Sequence, residues 1–180
     1  ALKCEAAFRT ESSFFEIFDF KVAEGKQENI LDRPGDIAIT KTLAKKIFCD
    51  ESAVGKTIRL NQTTELHIVS VLEDLPKSSH LQFDLLRSLT PGENEQGLQQ
   101  ALQSWHGISS FTYLLLDDGV NQEELQTKIQ SIARENNAFE FFTPVVQPLT
   151  DVHLHSKDIL FETNANKSDV LNVYVLSVIA

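Results

Sequence analysis

Apolar positions in this chain fall into short runs, and the spacing inside each run predicts its element. Ser12 or Ser13 stands where it can cap a short helix carrying Phe14, Phe15, Ile17 and Phe18. Residues 19–22 read as extended and close at Gly25; the polar stretch 26–35, with Pro34-Gly35, reads as a loop. Residues 36–39 form a short strand, after which Thr40 caps a helix with Leu43, Ala44, Ile47 and Phe48 on one face. Beyond a turn at Gly55, residues 57–60 and 66–72 make a hairpin around Asn61-Gln62-Thr63. The second of these strands is apolar on both faces, which predicts a central place in its sheet. The run stops at Glu73-Asp74-Leu75-Pro76, passes Lys77-Ser78-Ser79-His80, and restarts with Leu81, Phe83 and Leu85 alternating.

Residues 90–104 are rich in Gln and Glu and suit an exposed helix or a long loop. Phe111-Thr112-Tyr113-Leu114-Leu115-Leu116 predicts a strong strand, ended by Asp117-Asp118-Gly119. Asn121, with Glu124 three positions on, marks a helix start, and Leu125, Ile129 and Ile132 share one face of that helix. Residues 142–149 read as extended, broken by Pro144 and Pro148. No internal repeat at solenoid spacing is present. Helices and strands interleave around a strand-rich centre, so the expected fold class is α+β with two lobes. The strand-rich centre spans residues 36–89 and reads as an insertion into a lobe built from both chain ends.

Composition narrows the classes. Hydrophobic residues make up 42% of the 180, which supports a folded chain. A formal net charge of −10 with no basic run offers nothing to a phosphate backbone, so nucleic acid is not an expected partner. Broad adhesion to anionic lipid is disfavoured for the same reason. The two cysteines, Cys4 and Cys49, are either one disulfide or a pair of idle thiols. Residues 171–180 are almost wholly apolar, too short alone for a bilayer, which takes about 20 residues. They fit a buried final element or the first turns of a membrane helix.

Three clusters carry candidate chemistry. Gly55-Lys56-Thr57 has the end of a phosphate loop, but Asp50 stands where the first glycine belongs and a strand follows instead of a helix. The plain reading is a turn glycine with Lys56 in solvent. His153-Leu154-His155 sets two imidazoles on one side of a strand, with Asp151 on the same side, a spacing some metal sites use. Nothing nearby completes the shell. Glu73, Asp74, Ser78, Ser79, His80 and Asp84 could be drawn as a hydrolase triad, yet no strained elbow holds either serine and no glycine-rich segment supplies an oxyanion hole. Asp74 ahead of Leu75-Pro76 is better read as an Asx-type turn former accepting backbone N–H groups. Asn61-Gln62-Thr63 and Asn166-Lys167-Ser168 fit the glycosylation pattern, a match frequent by chance.

In order, several segments resemble the periplasmic core domain of ABC transporter permeases of the MacB and FtsX type, in particular the large ones common in Bacteroidetes. They are Phe14-Phe15-Glu16-Ile17-Phe18-Asp19-Phe20 through Gly25, Ile39-Thr40-Lys41-Thr42-Leu43-Ala44-Lys45-Lys46-Ile47-Phe48, and Val54-Gly55-Lys56-Thr57-Ile58. Val69-Ser70-Val71-Leu72-Glu73-Asp74-Leu75-Pro76, Ser79-His80-Leu81, Phe83-Asp84 and Pro148-Leu149-Thr150-Asp151-Val152-His153-Leu154 follow. Two positions depart: the family usually has glycine where this chain has Cys49, and again where it has Ser70.

The resemblance implies a periplasmic domain of an inner-membrane protein, set between the first and second of four membrane helices. Its lobes would be a porter-like α/β lobe (1–35 and 105–180) and an inserted β-rich, sabre-like lobe (36–104), with residues 171–180 approaching the second membrane helix. It also implies no catalysis and no cofactor: ATP is hydrolysed on an ABC ATPase subunit or domain, and the motion passes to a periplasmic partner or substrate. Implied partners are a second permease copy and the ATPase, with an adaptor, a lipoprotein or a cell-wall regulator outside the membrane. Phe18, Gly25, Ala44, Phe48, Gly55, Lys56, Val71, Asp74, Pro76, His80 and Phe83 carry the family pattern as structural positions. The loop 91–103 and the acidic surface are candidate contact regions. The alternative is a periplasmic hydrolase using His80 with Asp74 or Asp84, or a metal at His153 and His155.

Overall fold

The computed structural model describes residues 6–60, 64–105, 110–138 and 142–152. Six strands form one mixed sheet: β1 (Ala7–Thr10), β2 (Val22–Gly25), β3 (Asp36–Thr40), β4 (Thr57–Leu60), β5 (Thr64–Leu72) and β6 (Leu85–Ser88). Their order is β1-β6-β3-β5-β2, with β4 also on β5. β1 runs parallel to β6 and β3 parallel to β5, while the other pairs are antiparallel. β5 is therefore central, as its two apolar faces require: β3 lies along one side, and β4 and β2 share the other.

Both faces of the sheet are covered. On one, Ile37, Ile39, Leu66, Ile68 and Leu85 pack under α2 (Lys41–Phe48) through Leu43, Ala44, Ile47 and Phe48. On the other, Ala38, Leu72 and Leu86 meet Ile30, Leu31, Phe83 and the rings of Phe14, Phe15 and Phe20. Leu66 and Ile68 share a face with Val71, although alternation would send Val71 to the opposite one. The register explains it: Ile37 pairs with Ile68 but Ala38 with Ser70, so Val69 is an extra residue that resets the alternation. Gly25 serves the same spot. Its φ is +96°, and a Cβ there would stand 2.4 Å from the Val69 carbonyl oxygen.

Thr40 caps α2 as expected, its hydroxyl accepting from Leu43 N at 3.3 Å. The serines do not cap α1 (Phe14–Ile17): Ser13 makes no side-chain cap bond, and the Ser12 hydroxyl instead donates to the Ile30 carbonyl and pairs with Asp32. It ties the turn to the loop before β3.

The chain divides into two compact units, Ala1–Gln100 and Ala101–Ala180. β1 and β2 are hydrogen-bonded to β6 and β5 and so belong to the same sheet as the strands of 36–88. α3 (Gln96–Gln103) has no buried residue, in keeping with an exposed helix. In α4 (Gln122–Glu135), Asn121 caps by accepting from Glu123 N (2.8 Å) and Glu124 N (3.3 Å). Its inner face runs Leu125, Ile129, Ala133; the expected Ile132 is exposed. Gln126 treats the segment after α4 as a strand would, its amide donating to Pro144 O (2.8 Å) and accepting from Val146 N (2.6 Å).

Among the described residues, 111–116 are not assigned to a strand as expected. Phe111, Leu114, Leu115 and Leu116 are exposed, and among the described residues no strand pairs with them. Among the described residues no helix is long and apolar enough to cross a membrane; residues 171–180 lie outside them.

Candidate functional site

Because β3 and β5 are parallel neighbours, the segment leaving β5 emerges beside the start of the helix that follows β3. Asp74 uses this. Its Oδ1 accepts from Thr42 N at 2.9 Å and its Oδ2 from the Thr42 hydroxyl at 2.9 Å, while Glu73 pairs with Lys41 Nζ at 2.6 Å. A helix N-terminus presents unsatisfied N–H groups and the positive end of its dipole, so carboxylates are favoured there. The Asx-turn role expected for Asp74 is thus corrected: the N–H it accepts lies 32 positions away.

The turn behind it is held by other groups. Pro76 O accepts from Ser79 N (2.9 Å) and from Gln82 Nε2 (2.8 Å), and Gln82 Nε2 also donates to Ser79 O (3.0 Å). The half-buried ring of His80 lies 5.8 Å from that of Phe18, which in turn contacts Phe14 and Phe20. Buried Phe83 meets Phe20 edge-on at 5.3 Å. Asp84 faces the other way along the chain, its Oδ2 accepting from Ala6 N at 3.4 Å while its carbonyl accepts from Thr40 N. Both oxygens of Asp74 are engaged by Thr42.

The remaining pattern residues sit in the sheet and its covering helix. Val71 is buried, and Ala44 and Phe48 pack on the same core. Gly55 turns at φ +81°, but its N–H is spent on Ile68 O and that of Lys56 on Ala53 O, so no backbone cradle faces a phosphate. Lys56 is not loose in solvent as expected: Nζ pairs with Glu51 at 2.6 Å and lies 4.6 Å from the Phe48 ring centroid. Cys49 is exposed at the end of α2; Cys4, the other half of the expected pair, lies outside the described residues. So do His153, His155 and both glycosylation patterns. Among the described residues no cluster of three or more His, Cys, Asp or Glu is placed to hold a metal.

One charged group escaped the sequence reading. Glu95 Oε1 takes Arg9 Nη2 at 2.5 Å and Arg87 Nη2 at 2.7 Å, and Oε2 accepts from Gly92 N at 3.1 Å. The bond from Arg9 is the chief reason its carboxyl is held down to about 2. Burial is the main cause that pushes the Arg87 guanidinium below its ordinary value. The signal was there in Leu85-Leu86-Arg87-Ser88, a charge inside an otherwise apolar strand.

Residues 4–132 match the family described as the MacB-like periplasmic core domain. The chain belongs to that family. The matched span of this MacB-like domain takes in every strand of the sheet, the Asp74 corner and α4 as far as Ile132. A solved domain of a candidate permease protein from Porphyromonas gingivalis is similar, with a TM-score of 0.57 and 25% identity over 70% of this chain and 52% of that one. The periplasmic region of MacB from Actinobacillus actinomycetemcomitans gives a TM-score of 0.44 and 16% identity over 69% of this chain and 53% of that one. The MacB-like domain thus spans about half the length of the solved structures it matches. Among curated proteins, none matches it.

Proposed function

We propose that this MacB-like domain is the periplasmic part of an ABC transporter permease in the inner membrane, passing ATP-driven conformational change to periplasmic partners or substrate and doing no chemistry itself. The observation that carries this reading is the family match over residues 4–132. Transmission needs a stiff body whose contacts differ between two states. A sheet covered on both faces, with α2 bound at its N-terminus by Asp74 and Glu73, supplies the stiffness. In this reading the partners are a second permease copy and the ABC ATPase, reached through the membrane region, and a periplasmic adaptor, lipoprotein or cell-wall regulator. Loop 91–103 is a candidate contact for the last of these.

The test uses the full permease, reconstituted with its ATPase and spin-labelled at exposed Lys77 in each copy. ATP binding is expected to shift the label-to-label distance distribution, and the shift should vanish in a variant ATPase that cannot bind nucleotide. A distribution indifferent to ATP would sink the reading.

A further inference from the structure

Arg9 of β1 and Arg87 of β6 are register partners in a parallel pair, so both side chains leave the same face of the sheet. Like charges set side by side repel. Arg87 is also buried, and its Nε has no hydrogen-bond partner among the described residues. One carboxylate reconciles the two. Glu95 Oε1 accepts from Arg9 Nη2 at 2.5 Å and from Arg87 Nη2 at 2.7 Å, and among the described residues no other acid pairs with either arginine. Charge-assisted bonds of this kind are about twice as strong as neutral ones.

Glu95 is not itself part of the sheet. It belongs to the segment 91–103, and the turn that opens this segment closes on the same residue: Gly92 N donates to Glu95 Oε2 at 3.1 Å and Glu95 N to Gly92 O at 3.0 Å. Among the described residues, every hydrogen bond and ion pair from 91–103 to the sheet is made by the Glu95 carboxylate. Apolar burial adds little, since α3 has no buried residue and only Leu98 and Ala101 in it are half-buried. A helix of 8 residues also has slight stability of its own. The seating of this segment on the sheet therefore hangs on one side chain.

We propose that Glu95 is a clasp and that residues 91–100 are a strap with two positions, seated while the carboxylate occupies the arginine pair and released when it does not. The clasp rests on the geometry of Arg9, Arg87 and Glu95 and is independent of the transmission role.

Backbone 15N relaxation of the labelled chain tests it. In the parent, amides 92–100 should show order parameters of about 0.85, the value of rigid backbone. In Glu95→Gln they should fall below about 0.6, while those of β3 and β5 keep the parent's values. Arg9→Gln is the second variant. It leaves the carboxylate beside the start of α3 but removes half of its seat, and it should loosen the same amides. Order unchanged in both variants, or a parent segment already below about 0.6, would overturn the proposal. Loosening in Glu95→Gln alone would overturn it too, since the carboxylate would then be acting only as a local cap on α3. Loss of order through β3 and β5 as well would make Glu95 a general support of the fold and not a clasp.

Discussion

Cys49 closes α2 with φ 58° and ψ −116°, a region glycine enters freely and other residues rarely. Cys49 N closes the last helical bond onto Lys45 O at 2.9 Å, and the positive φ of Cys49 then turns the chain away from the helix. The expected family pattern puts glycine here, and at this positive φ the Cβ of Cys49 is a local strain. Cys49→Gly should stabilise the domain by about 0.5–1 kcal/mol, the relief of strain being partly offset by a freer unfolded chain. A urea midpoint that stays put or falls would contradict this. The other departure works in the opposite sense. Ser70 is fully buried, and its hydroxyl donates to Lys26 O at 2.7 Å, a bond a glycine could not make.

At the level of elements, Asp74 acts as a second cap on α2, delivered from another part of the chain. Asp74→Ala leaves the Thr42 N–H and hydroxyl without this acceptor and should cost about 1–2 kcal/mol in a denaturation curve. In a cycle with Thr42→Ala the two losses should be well short of additive; additive losses would mean the contact carries little energy. That partnership could not be read from residue order, since the two ends lie 32 positions apart and meet only because β3 and β5 run parallel. What was legible is local: the faces of α2, the caps at Thr40 and Asn121, and the two-sided apolarity that makes β5 central. What was not legible depends on a neighbour. Residues 111–116 have the composition of a strand and no strand beside them among the described residues, and α4 turns Ala133 inward where periodicity alone allowed Ile132. His80 and Asp84 were visible as polar groups, but that they stand at an aromatic cluster and at the Ala6 amide is a product of the fold.

For the molecule as a whole, Glu95 joins β1, β6 and the approach to α3 through Arg9, Arg87 and Gly92. Its carboxyl is held at about 2 against an ordinary 4.5, so between these values the unfolded chain binds the extra proton. The stabilisation is therefore complete above about 4.5 and is lost as pH falls towards about 2. Glu95→Gln should be less stable than the parent at neutral pH, and the gap should narrow steadily across that acid window in paired unfolding curves. A gap independent of pH would show that the carboxylate charge is not what matters.

The pairing of β1 with β6 also sets an order of assembly. Ala6 and Asp84 are bonded across 78 positions, a far longer loop than those closed within β3, α2, β4 and β5. Long loops cost more entropy to close and gain their contacts late. When such a chain emerges from its N-terminal end, the centre of the sheet can form while β1 waits, its backbone donors and acceptors open, until Leu85–Ser88 has been delivered. The first strand to be made is the last to be seated.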